Sequence, residues 1–260
     1  MMNGVRHLLL AVQFFTRIPV TGRLAQWVGF SPQMLRASAA HFPAVGWMVG
    51  AVGAVAYVAA LALWPPLVAA VLSTAATVLL TGAFHEDGLA DVADGLGGSL
   101  QREQALEIMK DSRIGAFGAI ALVLALALKL ALLAALAGQG AAHAALAIVV
   151  AHVLSRLAPL ALMRALPYVG GEAGKSKPLA DALSMPSLCI AVLWSLPAAA
   201  FVLLAWGAIE TIAVGVLAGT VTLLAMARFR RRLDGFTGDC LGATQQLSEL
   251  AVYLALTARL

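Results

Sequence analysis

Residues 41–64 read HFPAVGWMVGAVGAVAYVAALALW and contain no Asp, Glu, Lys or Arg. As an α-helix this run would extend roughly 36 Å, because each residue adds about 1.5 Å. The hydrocarbon core of a bilayer is about 30 Å thick. The run therefore predicts a transmembrane helix.

The composition of the whole chain extends this prediction. Of the 260 residues, 62% are hydrophobic and 12% are charged, whereas about 25% are charged in ordinary soluble domains. The mean hydropathy is +0.92. We predict an all-α, polytopic integral membrane helical bundle of about seven transmembrane helices. The expected spans are residues 41–64, 67–84, 114–137, 141–166, 187–206, 208–227 and 241–260.

Residues 1–40 are predicted to form an interfacial or re-entrant segment. Only a short apolar stretch separates Arg6 from Arg17, and polar, turn-forming sequence follows it. Polar side chains interrupt this stretch, which argues against a cleaved signal peptide. We expect residues 1–260 to form a single membrane-embedded domain.

Basic residues fall on one side of this layout. Lys and Arg in short loops stay in the cytoplasm. Of the 17 Lys and Arg, 14 lie in the N-terminal segment or in three other segments: 85–113, 164–186 and 228–240. We predict that these segments are cytoplasmic. The net charge of +4 then reflects membrane topology and not nucleic-acid binding.

Two basic residues, Lys129 and Arg156, lie well inside predicted spans. Unpaired charge in the bilayer is costly, so each should face the bundle interior or extend toward an interface. We expect Lys129 to extend to the outer interface. Arg156 is deeper and has His152 and Ser155 beside it, which makes it the better functional candidate.

The stretch FHEDGLADVADGLGG, residues 84–98, places four carboxylates within nine residues. In a helix, Asp87, Asp91 and Asp94 would project from one face at i, i+4 and i+7. Like charges so placed repel unless a cation lies among them, and hard oxygen ligands suit Mg²⁺. The alternative is a solvated acidic face, and spacing alone leaves both open. His85 could bind a metal or orient a carboxylate.

Two further motifs carry charged or oxygen-donating side chains. IMKDSRIGAFG holds Lys110, Asp111 and Arg113. Arg113 could bind a phosphate oxygen with its planar fork, while Lys110 would act as a point charge. RFRRRLDGFTGDCLGA holds Thr237 and Asp239 near an expected helix N-terminus, where the dipole favours anions. Basic membrane anchors are the alternative for both motifs.

Together these motifs resemble those of the cobalamin synthase family, the adenosylcobinamide-GDP ribazoletransferases. FFTRIPV, HFPAVGWMVG, HEDGLADVADGLGG, IMKDSRIGAFG and DGFTGDCLGA occur in this order and at similar spacings. The resemblance covers nearly the whole chain. Asp234 departs from it, because Gly is expected there in the last motif, and this leaves the details of that turn open.

The resemblance implies an enzyme of the bacterial inner membrane that uses Mg²⁺. It would join adenosylcobinamide-GDP to α-ribazole or its 5′-phosphate, releasing GMP and forming adenosylcobalamin or its phosphate. Because both substrates are made in the cytoplasm, the active face should be cytoplasmic. The expected partners are these small molecules and the lipid bilayer, with no nucleic acid.

The resemblance also implies roles for the candidate residues. Phosphoryl transfer depends mostly on positioning and charge neutralisation. We predict Asp87, Asp91 and Asp94 as catalytic metal ligands and Lys110 and Arg113 as catalytic groups that neutralise the diphosphate. The predicted substrate-binding residues are His85, Asp111, Arg156, Thr237 and Asp239, of which Asp111 and Asp239 are also candidates to complete the metal site.

Two other protein classes remain as alternatives. A CDP-alcohol phosphotransferase also places aspartates at a membrane helix end, but its DG-x-x-AR pattern has Arg where this chain has Asp91. A transporter should place acidic residues near the membrane midplane on broken helices. Here they cluster in a loop, which favours the transferase.

Overall fold

The computed structural model describes residues 2–171 and 183–258, which are mostly helical. Within these residues the only β-type pairing is an isolated bridge between Tyr168 and Phe236. The predicted all-α fold is confirmed. The helices are α1 (Met2–Phe15), α2 (Gly22–Val28), α3 (Pro32–Ser38), α4 (Phe42–Leu61), α5 (Pro66–Thr81), α6 (Phe84–Gly98), α7 (Arg102–Ile108), α8 (Ala116–Leu136), α9 (Ala141–Leu154), α10 (Leu157–Ala165), α11 (Met185–Trp206), α12 (Ala208–Leu233) and α13 (Gly238–Thr257).

Five helical segments are long and apolar enough to cross a membrane, which confirms a multi-pass membrane protein. Each corresponds to a predicted span, although the first begins at Pro32 rather than near His41. The five segments are Pro32–Leu61, Ala116–Gln139, Ala141–Ala165, Met185–Trp206 and Ala208–Leu233.

Helices α5 and α6 form a sharply bent pair where the predicted span 67–84 meets the predicted loop 85–113. The chain turns by 89° between them, at Gly82 and Ala83, which both have left-handed backbone angles with φ of 70° and 57°. Glycine adopts this conformation freely, whereas alanine loses about 1 kcal/mol or more. The bend directs α6 away from the axis of α5, and α6 is not one of the five spans.

Helix α13 occupies the centre of the bundle. Most of its side chains are buried, and it packs against α6, α8, α9, α10 and α12. The prediction of a helix near 241–260 is correct, but α13 is not among the apolar segments that satisfy the criteria for a span. The described residues therefore contain five such segments, or up to six with the bent pair, against about seven expected. The reason is that α13 faces protein rather than lipid.

The predicted cytoplasmic loops are largely helical. Residues 85–113 form most of α6 and all of α7, and Arg228–Leu233 continue α12. Residues 172–182 of the 164–186 segment, with Lys175 and Lys177, lie outside the described residues.

Helix α1 is only 14 residues long and packs against α3 and α4. Phe15 stacks on Phe42 with ring centroids 4.1 Å apart, and Phe14 meets Phe84 edge-on at 5.7 Å. These contacts attach the end of α1 to the start of α6. The interfacial location of residues 1–40 stays a prediction.

The two ends of α13 define two ends of the bundle. Near its C-terminus, the Gln139 amide donates to the Leu256 carbonyl at 2.9 Å, and the Trp206 indole donates to Gln139 at 2.7 Å. Near its N-terminus lie the residues that follow α1, the α5–α6 bend, the end of α7 and residues 168–170. Parts of the segments predicted to share one side of the membrane therefore meet at one end.

Candidate active site

A cleft of about 540 Å³ lies beside the N-terminus of α13. It brings together residues from the three charged motifs singled out in the sequence, together with residues that follow α1 and α10. The charged and polar side chains that line it are Arg17, Asp87, Lys110, Tyr168, Thr237 and Asp239.

Two glycines allow α6 and α13 to approach closely at this cleft. A Cβ atom on Gly88 would lie 2.8 Å from the carbonyl oxygen of Asp239. A Cβ atom on Gly242 would lie 3.2 Å from the carbonyl oxygen of His85. Larger residues would push the helices apart, so the carboxylates of α6 and Asp239 are neighbours because of these glycines.

Thr237 is the N-cap residue of α13, and its hydroxyl group also contacts the side chain of Asp239. Its hydroxyl oxygen accepts a hydrogen bond from the Cys240 N–H at 3.4 Å, as an N-cap does, and the hydroxyl donates to Asp239 at 3.1 Å. Just upstream, Asp234 has a φ of 55°. A left-handed backbone explains why Gly is expected there, and Asp is among the residues that tolerate it.

Burial and neighbouring carboxylates raise the pKa of Asp91 and of Asp239. The pKa of Asp91 is raised to about 7, first by burial and then by the charges of Asp239, Asp87 and Asp94. Burial is also the main cause that raises the pKa of Asp239, and Asp87 adds to it. Negative charge is therefore concentrated where α6 meets α13, and a cation would relieve the repulsion.

Asp94 differs from the other two aspartates of the predicted metal triad. It is buried, and its carboxylate accepts hydrogen bonds from the Gly115 N–H at 2.7 Å and the Gly118 N–H at 2.8 Å. These N–H groups lie at the start of α8, so Asp94 caps that helix from a distance. Its role as a metal ligand stays a prediction.

A preformed metal centre is absent from the described residues: no three His, Cys, Asp or Glu side chains there are grouped to hold an ion. Mg²⁺ usually takes only one or two carboxylates and completes its coordination with water and substrate phosphates. Asp87 and Asp239 offer two carboxylates in the cleft, and Asp91 adds charge beside them. This donor set suits Mg²⁺.

The IMKDSRIGAFG motif divides between the cleft and the solvent. Lys110 lines the cleft. The Arg113 side chain is 87% exposed and contacts Asp111 at 2.6 Å. Hydrogen bonds from Arg113 lower the pKa of Asp111 to about 2. The structure therefore brings Lys110, but not Asp111 or Arg113, into the lining of the cleft.

Two other candidates, His85 and Arg156, lie in the bundle interior rather than in the cleft. Both belong to a set of buried polar side chains, which we call the interior polar cluster. Its members are His85, Glu86, Lys129, His152, Arg156, Gln245, Gln246 and Glu249.

Glu249 is the hub of the interior polar cluster. Lys129 contacts it at 2.7 Å, and the His152 ring lies 3.3 Å from its other oxygen. The expectation that Lys129 extends to the outer interface is wrong, because its side chain is only 4% exposed. In the low-dielectric interior a nearby countercharge offsets the loss of water that a lysine otherwise avoids by extending outward.

Arg156 and His85 both contact the Phe42 ring. The Arg156 guanidinium is 5.5 Å from the ring centroid, and His85 stacks on the ring at 5.8 Å. Arg156 also donates to the His152 carbonyl at 2.5 Å. The Arg156 side chain is therefore engaged by residues inside the bundle and does not reach the lining of the cleft.

Comparison with known proteins agrees with the motifs that surround the cleft. Residues 7–257 match the family model for cobalamin-5-phosphate synthase. The chain belongs to the cobalamin-5-phosphate synthase family. Its relatives include the adenosylcobinamide-GDP ribazoletransferases of Polaromonas sp. (strain JS666), 58% identical with 98% of each chain covered, and Albidiferax ferrireducens, 57% identical with 100% of each covered. That of Leptothrix cholodnii is 47% identical, covering 98% of this chain and 96% of its own. No solved structure matches the chain.

In this member of the cobalamin-5-phosphate synthase family, sequence reasoning missed three residues. Arg17 and Tyr168 line the cleft, and Glu249 anchors the interior polar cluster. Arg17 belongs to the FFTRIPV motif but was counted only as a basic loop residue. Glu249 could have been predicted from sequence, because Lys129 and Arg156 both require a countercharge within the membrane.

Proposed function

We propose that this protein transfers the adenosylcobinamide phosphate group from adenosylcobinamide-GDP to α-ribazole or α-ribazole 5′-phosphate and releases GMP. The relatives' names support this reaction. The observation that supports it most directly is the cleft, which is lined both by carboxylates from α6 and α13 and by the basic side chains of Arg17 and Lys110. A diphosphate with a bound divalent cation matches that pairing of charges.

The reaction exchanges one phosphorus–oxygen bond for another. A ribazole hydroxyl oxygen attacks the phosphorus next to the cobinamide, and the bond from that phosphorus to the bridging oxygen breaks. GMP leaves with the bridging oxygen and its electron pair. The hydroxyl proton passes to a cleft carboxylate or to water.

We propose that the reaction requires Mg²⁺, held by Asp87 and Asp239 with Asp91 close by. The ion would neutralise the diphosphate in the transition state. Asp87 and Asp239 would hold the ion, which would position the phosphates, while Lys110, just after α7, adds a positive charge to the cleft. The close packing at Gly88 and Gly242 keeps the two helices at a fixed separation.

The assay that tests this function measures GMP release by purified protein in detergent. We expect release that depends on both α-ribazole and Mg²⁺ and that forms the cobalamin product in equal amount. GMP release without α-ribazole would indicate a hydrolase. No release with either ribazole form would contradict the proposal.

We further propose that the protein lies in a bacterial inner membrane with the cleft on the cytoplasmic side. The distribution of Lys and Arg supports this orientation. In a cysteine-free background, single cysteines at the exposed positions Gln101 and Arg231 should react with a membrane-impermeant maleimide only from the cytoplasm. A cysteine at the exposed Gly138, near the opposite end, should react only from outside. The reverse pattern would contradict the orientation.

A further inference from the structure

Arg17 is held beside the cleft by a well-defined backbone. It follows Phe14 and Phe15, whose rings pack against Phe84 at the start of α6. Its own N–H donates to the Leu80 carbonyl at 2.7 Å, near the end of α5. The position of Arg17 relative to α6 is therefore set by contacts on both sides of the α5–α6 bend.

Gly82 makes room for the Arg17 side chain. A Cβ atom at Gly82 would clash with the Arg17 guanidinium group. Gly82 also has a φ of 70°, which other residues rarely adopt. The absence of a side chain at the bend thus lets the guanidinium lie along the cleft wall.

The guanidinium of Arg17 has no hydrogen bond or ion pair to any side chain within residues 2–171 and 183–258. Asp87 lines the same cleft, yet the two form no ion pair there. Arg113, the arginine favoured by the sequence, is instead paired with Asp111 and is largely exposed. Among the described residues no side chain occupies the donors of Arg17, so they can meet a ligand in the cleft.

We propose that Arg17 binds the diphosphate of the nucleotide-bearing substrate, in the role that sequence reasoning gave to Arg113. This rests on the proposed transferase function. A guanidinium group presents two parallel N–H donors that match two oxygens of a phosphate. Arg17 would bind the diphosphate in the cleft whose lining it shares with Lys110, Asp87 and Asp239.

A structural role is the rival explanation. Arg17 lies near the C-terminal end of α5, where a positive charge stabilises the helix dipole. If this were its only role, removing the charge would lower the melting temperature and leave substrate affinity unchanged.

The test compares Arg17→Gln, Arg17→Lys and Arg113→Gln, with Arg23→Gln as a matched control on the exposed surface of α2. Arg17→Gln should raise the KM for adenosylcobinamide-GDP at least about tenfold, as expected for losing charged hydrogen bonds. The KM for α-ribazole should not change. Arg17→Lys should recover part of the loss, because it keeps the charge but not the fork.

Direct binding separates this proposal from the proposed function. We would titrate inorganic pyrophosphate and GDP into each protein by calorimetry, with Mg²⁺ and without turnover. Wild type and Arg23→Gln should bind both, and Arg17→Gln should bind each at least about tenfold more weakly. Equal binding by wild type and Arg17→Gln, or a loss confined to Arg113→Gln, would overturn the proposal whether or not GMP release is found.

Discussion

The cleft and the interior polar cluster treat charge in opposite ways. In the interior, Lys129 and Glu249 form a 2.7 Å pair that is almost fully buried. Beside the cleft, burial and the charges of Asp239 and Asp87 raise the pKa of Asp91, and no cationic side chain among the described residues forms an ion pair with these three aspartates. A buried pair that neutralises itself stabilises one arrangement of helices, whereas unneutralised carboxylates favour a bound cation.

The two regions meet across a single helix. Asp87 on α6 lines the cleft, while its neighbour Glu86 points into the bundle and accepts a hydrogen bond from Gln246 at 3.1 Å. Gln246 in turn donates to Gln245, which donates to Glu249. One face of α6 therefore lines the cleft and a neighbouring face packs into the bundle, so substitutions on the two faces should have separable effects.

The largest expected effect comes from breaking the interior pair. Lys129→Met should lower the free energy of unfolding by about 3 to 5 kcal/mol, because it leaves Glu249 buried without its main countercharge. Denaturation in detergent measures this. The double variant Lys129→Met/Glu249→Met should recover much of the loss. A stable Lys129→Met protein would mean that the interior cluster does not depend on this pair.

In the cleft, removing a charge should affect activity and not stability. Asp87→Asn should reduce GMP release at least about 100-fold, since loss of groups that hold a metal has effects of this order or more. Without Mg²⁺ the variant should melt no lower than wild type, because repulsion is relieved. Added Mg²⁺ should then raise the melting temperature of wild type more than that of the variant. Wild-type turnover in Asp87→Asn would make this cleft a solvated acidic surface.

The spacing between α6 and α13 should affect both stability and activity. Gly88→Ala would place a methyl group 2.8 Å from the Asp239 backbone, and overpacking of this kind costs about 1 to 3 kcal/mol. Activity should fall as well, because Asp87 and Asp239 move apart. Gly242→Ala is a matched control with a milder clash at 3.2 Å. Equal tolerance of both changes would show that the helix separation is adjustable.

Substitution of Asp94 should have the smallest effect on stability, and it tests whether Asp94 acts differently from Asp91. Asp94→Ala should lower stability by about 1 to 2 kcal/mol through loss of the hydrogen bonds to Gly115 and Gly118. Asp94→Asn keeps one acceptor and should lose less. Melting without Mg²⁺ would separate Asp94 from Asp91, since Asp91→Asn should melt no lower than wild type. If Asp94→Ala melted like wild type, the capping role would be wrong.

Hydropathy predicts most of this fold because most of the helices face lipid. The five apolar segments were expected from sequence at nearly their observed positions. Hydropathy is less informative for α13, because Gln245, Gln246 and Glu249 lower the mean hydropathy of a helix that is buried within protein. The α5–α6 bend was also missed, since Ala83 gives no local signal for a left-handed backbone.

The candidate site was predictable where chemistry and spacing coincide. Asp87, Lys110, Thr237 and Asp239 were singled out by sequence and line one cleft. Sequence reasoning favoured Arg113 over Arg17, because both are arginines near predicted spans and only tertiary structure shows that Arg17 borders the cleft. The i, i+4, i+7 spacing placed Asp94 with Asp87 and Asp91 but could not show that the start of α8 would engage it.

The polarity of α13 bears on how the protein is assembled in the membrane. A Glu at the centre of a lone inserting helix is unfavourable by a few kcal/mol, and α13 also carries Gln245, Gln246 and Ser248. Among the described helices, α13 leaves the ribosome last. Its stable placement therefore requires that Lys129 and His152 on α8 and α9 already be in the bilayer to receive Glu249. The earlier helices act as an assembly template, and the cleft is completed only when α13 packs against them, because Thr237 and Asp239 form part of its lining.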